Sequence, residues 1–246
     1  MAAAAASPVR AQTILDLADA AQGEAPILRA LRVAAAVGED PAALRDAPLG
    51  RLHAATLGFH TVLASPSLEA VVTCPSCASI VEFALDADSL RGVSGEATSG
   101  ELTVPTDGGI WRVHWRVPTA GDLAEVAGRT DAAAALFARC CAVTGPGGEG
   151  TADAPADVVE RIEATLADAD PLAEVTVRLE CPECSADVDA DVDPIAFVWR
   201  EVESRVQRVL RDVDALARAY GWTEAEVLAL SEQRRAAYLE IVREGA

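Results

Sequence analysis

Positive charge is scarce in this chain, with twenty basic residues against thirty-nine acidic ones and a net charge of −19 over 246 residues. A surface of that sign repels phosphate backbones, so a nucleic-acid partner would need a local basic patch, and no run of the sequence supplies one. Long apolar runs are missing as well. The longest uncharged stretch, Leu52 to Leu68, holds two histidines and several Ser and Thr, and is too short and too polar to span a bilayer. The opening MAAAAASPVR has neither the basic start nor the long apolar run of a secretory signal, so a soluble, cytoplasmic protein with no membrane partner is expected. No glycine-rich phosphate loop is present, and His53, His60 and His114 lie far apart with no Ser, His, Asp order around them. No catalytic residue is assigned.

What the chain does have is apolar content, 51%, enough for a real core in one large domain or two modest ones. The first third reads as helices. ILDLADAAQG is followed by Pro26 at a first helical position, and another helix runs through GRLHAATLGFHTVL until Pro66 breaks the pattern. From Leu68 the texture becomes rich in Val and Ile, and EAVVTCPSCASIVEFALD predicts a hairpin with CPSC at its tip. ELTVPTDGGIWRVHWRVP predicts a second hairpin turning at Asp107-Gly108, with Trp111, Val113, Trp115 and Val117 on one core-facing side. On the other side Arg112, His114 and Arg116 form a small basic stripe, read as a solvated face ahead of a partner contact.

TAGDLAEVAGRTDAAAALFARCCAV returns to helix and places Cys140 and Cys141 in it as buried small hydrophobes. The loop GPGGEGTADAP and a helix at ADVVERIEATLAD follow, and AEVTVRLECPECSADVDADVD then repeats the strand, Cys-Pro-x-Cys, strand arrangement. Asp193-Pro194 opens a long helix whose seam is Ile195, Trp199, Val202, Val206, Val209, Val213, Leu216 and Tyr220. Gly221 ends it. Thr223 and Glu226 make a capping box for the next helix, and QRRAAYLEIV supplies the last. The expected fold is α+β, mainly helical, with a discontinuous zinc-ribbon-like β module built from the two Cys-Pro-x-Cys hairpins. Its segments are N-terminal helices at 1–66, the first knuckle and second hairpin at 67–118, helices and loop at 119–170, the second knuckle at 171–193 and C-terminal helices at 194–246, all within one compact domain.

In a reducing cytoplasm six cysteines read as metal ligands or buried thiols, not disulfides. A Cys-x-x-Cys knuckle at a hairpin tip aims two sulfurs the same way, and zinc needs four such donors at tetrahedral corners. Cys74, Cys77, Cys181 and Cys184 supply them with none left over. More than a hundred residues separate the pairs, so the site is a clasp between remote hairpins, closed to water and not expected to catalyse. Its expected contribution is stability, on the order of 10 kcal/mol. A redox Cys-Pro-x-Cys belongs at a helix start, whereas both motifs here run into strand-like sequence. The ladder Asp187, Asp189, Asp191 and Asp193 alternates with Ala186, Val188, Ala190 and Val192, which puts carboxylates on a strand's solvent face. A calcium loop is excluded, because its sixth position is Val192 instead of glycine and its twelfth is Val198 instead of glutamate.

Three segments, TCPSCASIVEF, DADPLAEVTVRLECPEC and DPIAFVWREVESRVQRVLRDVDALARAYGWTEAEVLALSEQRRAAYLEIV, together resemble the baseplate hub assembly proteins of T-even-like phages, in the version found in contractile phage tails and phage-tail-like injection systems of bacteria. The likeness runs from about Thr13 to Val242. Its closing Tyr-Gly-Trp, leucine helix and Arg-x-x-x-Tyr-Leu are more specific than either Cys-Pro-x-Cys alone. The resemblance implies a chaperone or minor structural part in baseplate assembly, no enzymatic reaction, and partners among the hub, spike or wedge proteins. Trp222, Leu228, Leu230, Tyr238 and Leu239 then have two readings, as a partner-binding face or as the chain's own core. Two other functions stay open on the residues alone. A zinc-ribbon nucleic-acid-binding or transcription-associated protein would show a salt-dependent gel shift, and a thiol oxidoreductase would show a reactive, low-pKa cysteine.

Overall fold

The apolar periodicities resolve into six small clusters, and the elements follow from which cluster each segment feeds. A computed structural model of the chain describes residues 9–93, 95, 97–150 and 154–245. The alanine-rich opening up to position 8 and positions 151–153 of the glycine-rich loop lie outside them. Helix α1 (Ala11–Ala20), α2 (Pro26–Ala36), the short α3 (Pro41–Asp46) and α4 (Leu49–Leu63) come first. Pro26 sits in the first turn of α2, where its missing N–H costs nothing, and Asp40 caps α3 by accepting from the Ala42 amide at 3.0 Å. Their apolar stripes meet the long helix α9 (Pro194–Tyr220): Ile14, Val33 and Phe59 bury Val198 and Val202. The seam of α9 is therefore wider than the spacing predicts, because Val198 is fully buried between the residues of the expected stripe.

Strands β1 (Ser67–Thr73) and β2 (Ile80–Asp86) form the first knuckle hairpin, and the short helix α5 (Ala87–Arg91) follows. Strands β3 (Ser99–Thr106) and β4 (Gly109–Arg116) turn at Asp107-Gly108 as expected. Gly100 is required opposite Trp115, since a Cβ there would lie 2.8 Å from the indole. Trp111 and Trp115 are half-buried against a core built on Val113, and Val117 is buried. Two members of the basic stripe have acidic partners: His114 faces Glu101 at 3.2 Å, and Arg116 grips Asp122.

The segment 119–141 departs from the single expected helix. It is two helices, α6 (Ala120–Val126) and α7 (Ala132–Cys140), broken where Gly128 takes φ +78°. Cys140 ends α7, but Cys141 begins β5 (Cys141–Thr144), which pairs with β4 through Trp115 and makes a three-stranded sheet. Both thiols are buried, as expected. Asp122 joins these pieces. Its buried carboxylate accepts from Arg116 at 2.5 and 2.7 Å, from Arg139 of α7 at 3.0 Å and from the Thr119 amide at 3.0 Å.

Helix α8 (Ala156–Ala169) packs on that sheet, and at its end Asp170 reaches back 120 positions to accept from the Gly50 amide at 2.9 Å. Pro48 offers α4 no side-chain cap, so Asp170 serves as a remote one. Strands β6 (Val175–Glu180) and β7 (Asp187–Val192) form the second knuckle hairpin, with Asp187, Asp189 and Asp191 on its exposed face and Val188, Ala190 and Val192 inside. Asp193 leaves the ladder to cap α9. Gly221 closes α9 in the left-handed conformation, and Thr223 with Glu226 forms the capping box of α10 (Glu224–Ala229) before α11 (Glu232–Glu244). Trp222, Tyr238 and Leu239 pack around Leu216 and Val227, so they close the chain's own core; Leu228 and Leu230 stay half-buried. Among the described residues no helix is long and apolar enough to cross a membrane.

Candidate metal centre

Each knuckle is a six-residue excursion between paired strand ends, Thr73 to Ile80 in one case and Glu180 to Asp187 in the other. The two are built alike. In the first, the Cys74 amide donates to the Ser79 carbonyl at 2.8 Å and the Ala78 amide to the Cys74 carbonyl at 2.9 Å. In the second, Cys181 donates to Ala186 at 2.9 Å and Ser185 to Cys181 at 2.9 Å. Ala78 and Ser185, each just after the second cysteine, adopt φ +61° and +55°, a conformation that L residues seldom take. That turn folds the chain back so both sulfurs of a knuckle point the same way.

The hairpins pack tip to tip and bring all four sulfurs together. Cys74 Sγ lies 3.7 Å from Cys184 Sγ, and Cys77 Sγ lies 3.7 Å from Cys181 Sγ, across 104 positions of chain. All four ligand atoms fall within 4.8 Å of one another and could hold a metal ion, and all six cysteines are free of disulfides. Cys74 and Cys181 are buried with Val81 and Val188 between the hairpins, while Cys77 and Cys184 reach the surface.

Ser79 is a participant that the sequence reading did not name. Its hydroxyl lies 3.0 Å from Cys77 Sγ and 3.2 Å from Cys181 Sγ, bridging the two knuckles. That hydrogen bond is the main reason the Cys77 thiol is held below its ordinary value and the Cys181 thiol is drawn down to about 6. The Ala186 amide favours the Cys184 thiolate, yet Cys77, burial and the other two sulfurs outweigh it and push that thiol up to about 12. Four negative sulfurs cannot share so small a volume alone. A cation at their centre removes the conflict.

Other chemistry-bearing residues stay away from the cluster. His53 is buried with Nδ1 2.8 Å from the Leu172 carbonyl, and burial pushes its pKa down. His60 packs edge-on against Phe197, and His114 is on the surface. Burial pushes Cys140 up and Cys141 up to about 11, the opposite of a reactive thiol. Neither knuckle opens a helix; each runs into a strand. No protein-family model, curated protein or solved structure matches this chain.

Proposed function

We propose that the chain is a non-enzymatic assembly factor or minor structural component of the baseplate of a contractile phage tail or contractile injection system, fastened internally by a structural zinc ion. The observation that carries the reading is the closed four-sulfur cluster joining two remote hairpins. A tetrahedron with zinc–sulfur bonds of about 2.3 Å has edges of about 3.8 Å, and the cross-knuckle sulfurs are 3.7 Å apart. Four thiolates with no imidazole, carboxylate or water position suit zinc in its structural role. Zinc held there supplies stability and rigidity and leaves no coordination place for a substrate.

Cys74, Cys77, Cys181 and Cys184 would hold the ion, and the Ser79 hydroxyl would support two of the sulfurs from outside. An assembly factor needs such a rigid frame carrying surfaces, and the resemblance to baseplate hub assembly proteins across most of the chain supports that role. The partners are then hub, spike or wedge proteins. The nucleic-acid reading gains no specific observation, and the oxidoreductase reading gains only the lowered thiols of Cys77 and of Cys181, the latter buried and out of reach of a substrate. Asp122 and Glu101 occupy two members of the basic stripe, and the site has none of the helix-start geometry of a thiol oxidoreductase.

The test is affinity purification of the tagged protein from its native host, with metal analysis of the product. One zinc per chain and co-purification of a baseplate protein are expected. A metal-free protein with oxidisable knuckle thiols, or co-purifying nucleic acid in place of tail proteins, would refute the reading.

A further inference from the structure

A two-stranded sheet leaves each strand one unpaired edge. Among the described residues neither β1 nor β7 has a second strand partner, and a groove of about 800 Å3 lies between the first knuckle hairpin and the junction of β7 with α9. Consecutive residues of β1, Glu69 to Val72, border it, and so do Glu82 to Ala84 of its partner strand β2 and Ala190 to Asp193. Neighbouring strand residues point to opposite faces, so a border of consecutive residues includes strand backbone as well as side chains, and each of these strands keeps one edge of amides and carbonyls unpaired.

The lining is apolar below and acidic above. Val72, Phe83 and Phe197 supply apolar surface, while Glu69, Glu82, Asp191 and Asp193 face a single cation, Arg200. That four-to-one ratio is about double the imbalance of the whole chain. Among the described residues none of the four carboxylates forms an ion pair. The Arg200 guanidinium instead lies over the Phe197 ring, 5.7 Å from its centroid, so the groove already accepts a cation on its aromatic surface.

We propose that this groove docks an extended, lysine- or arginine-bearing segment of a partner protein. Its backbone pairs with a free strand edge, its cations meet the four carboxylates, and its alternate apolar side chains rest on Phe83 and Phe197. A polyamine or a bare metal ion would use the carboxylates and leave the strand edges and aromatic surface without a role. The inference deepens the assembly reading by naming the partner's chemistry, and rests on it for the existence of a protein partner.

The chain contains no lysine, since every basic residue is arginine. Carbodiimide coupling therefore joins the lysine amines of an added peptide to this protein's carboxylates. The probe is a fluorescent hexapeptide of alternating lysine and valine, compared with its glutamate–valine counterpart on the full chain. Binding of the lysine peptide alone is expected by anisotropy, with cross-links mapping to Glu69, Glu82, Asp191 or Asp193. Glu69→Gln combined with Glu82→Gln should weaken it about tenfold. Both positions are exposed on their strands, and circular dichroism checks that the fold is kept. Absent binding, equal binding of both peptides, unchanged binding by the double variant, or cross-links elsewhere would each overturn the proposal. No baseplate protein enters the assay, so its failure leaves the assembly reading standing, and failed co-purification leaves the peptide result standing.

Discussion

Removing the ion should loosen the two knuckles and spare the helices. The hairpin bases are held without metal, because Leu68, Val175 and Val192 are buried against Leu57, Ala87 and Leu172. Nearer the tips only Val72, Val81, Leu179, Ala186 and Val188 pack around the sulfurs. Two-stranded hairpins are marginal in water, so metal-free tips are expected to open for about 1–2 kcal/mol, a protection of about 5- to 30-fold against amide exchange. With an ion bound, opening must also break thiolate bonds worth on the order of 10 kcal/mol in small zinc domains. The amides of Cys74, Ala78, Cys181 and Ser185, all bonded within their own knuckles, should then rank with the slowest in the chain. A strong chelator should speed their exchange by at least about a thousandfold and move them ahead of α4 and α9. Hydrogen-exchange mass spectrometry reads that reordering, and far-ultraviolet circular dichroism should keep its helical signal. Loss of the whole helical signal on chelation would show that the bundle depends on the metal. Knuckle amides indifferent to the chelator would show that no ion was holding them.

Ser79→Ala removes the hydroxyl shared by Cys77 and Cys181, and competition with a chromophoric chelator should show metal affinity about tenfold weaker. Asp122→Ala strands two arginines, but their side chains are each 38% exposed and recover water, so urea denaturation at pH 7 should show a loss of about 3 kcal/mol, the lower end for a broken buried pair. The hydrogen bonds led by Arg116 hold that carboxyl well below the usual range, so its contribution is complete above the unfolded value of about 4 and disappears as pH falls through the lower folded value. The pH dependence of urea stability in the native chain and in Asp122→Asn measures it. Gly50→Ala would place a Cβ 2.1 Å from Asp170 Oδ1 and break the remote cap of α4, for a loss of about 2 kcal/mol read by thermal denaturation.

Local signals carried much of the fold into view. The caps at Asp193 and Thr223, the turn at Asp107-Gly108 and the left-handed Gly221 depend on a few neighbouring residues, and the four ligands needed only the cysteine spacing. What stayed hidden is set by distant partners. Cys141 is a strand residue because Trp115 pairs with it, against the helical preference of the alanines before it. The α6–α7 break rests on Gly128, and a lone glycine is tolerable in a helix and so a weak signal. Asp170 caps a helix 120 positions away, which no window of sequence contains. Ser79 was within reach, since overlaying the two knuckles aligns it with Ala186 and exposes a polar residue on one side only.

The same overlay separates what the two hairpins share from where they differ. Both break one backbone rule at the same place, holding Ala78 and Ser185 at positive φ where L residues pay about 1–2 kcal/mol. A repeated strain of that kind needs a shared compensation, and the two turns share both the amide hydrogen bonds of Ala78 and Ser185 and the pair of sulfurs each presents to a single cluster. Inside, the pattern is kept: Val81 and Val188 occupy equivalent buried positions beside Cys74 and Cys181. Outside, it is not. The first hairpin exposes Val71 and Ile80, each 66% accessible, where the second exposes Arg178 and Asp187, although Glu82 and Asp189 are acidic in both. Metal binding would constrain only the inner faces and leave the outer faces free to carry recognition, and their difference in polarity would give a protein partner two distinguishable surfaces.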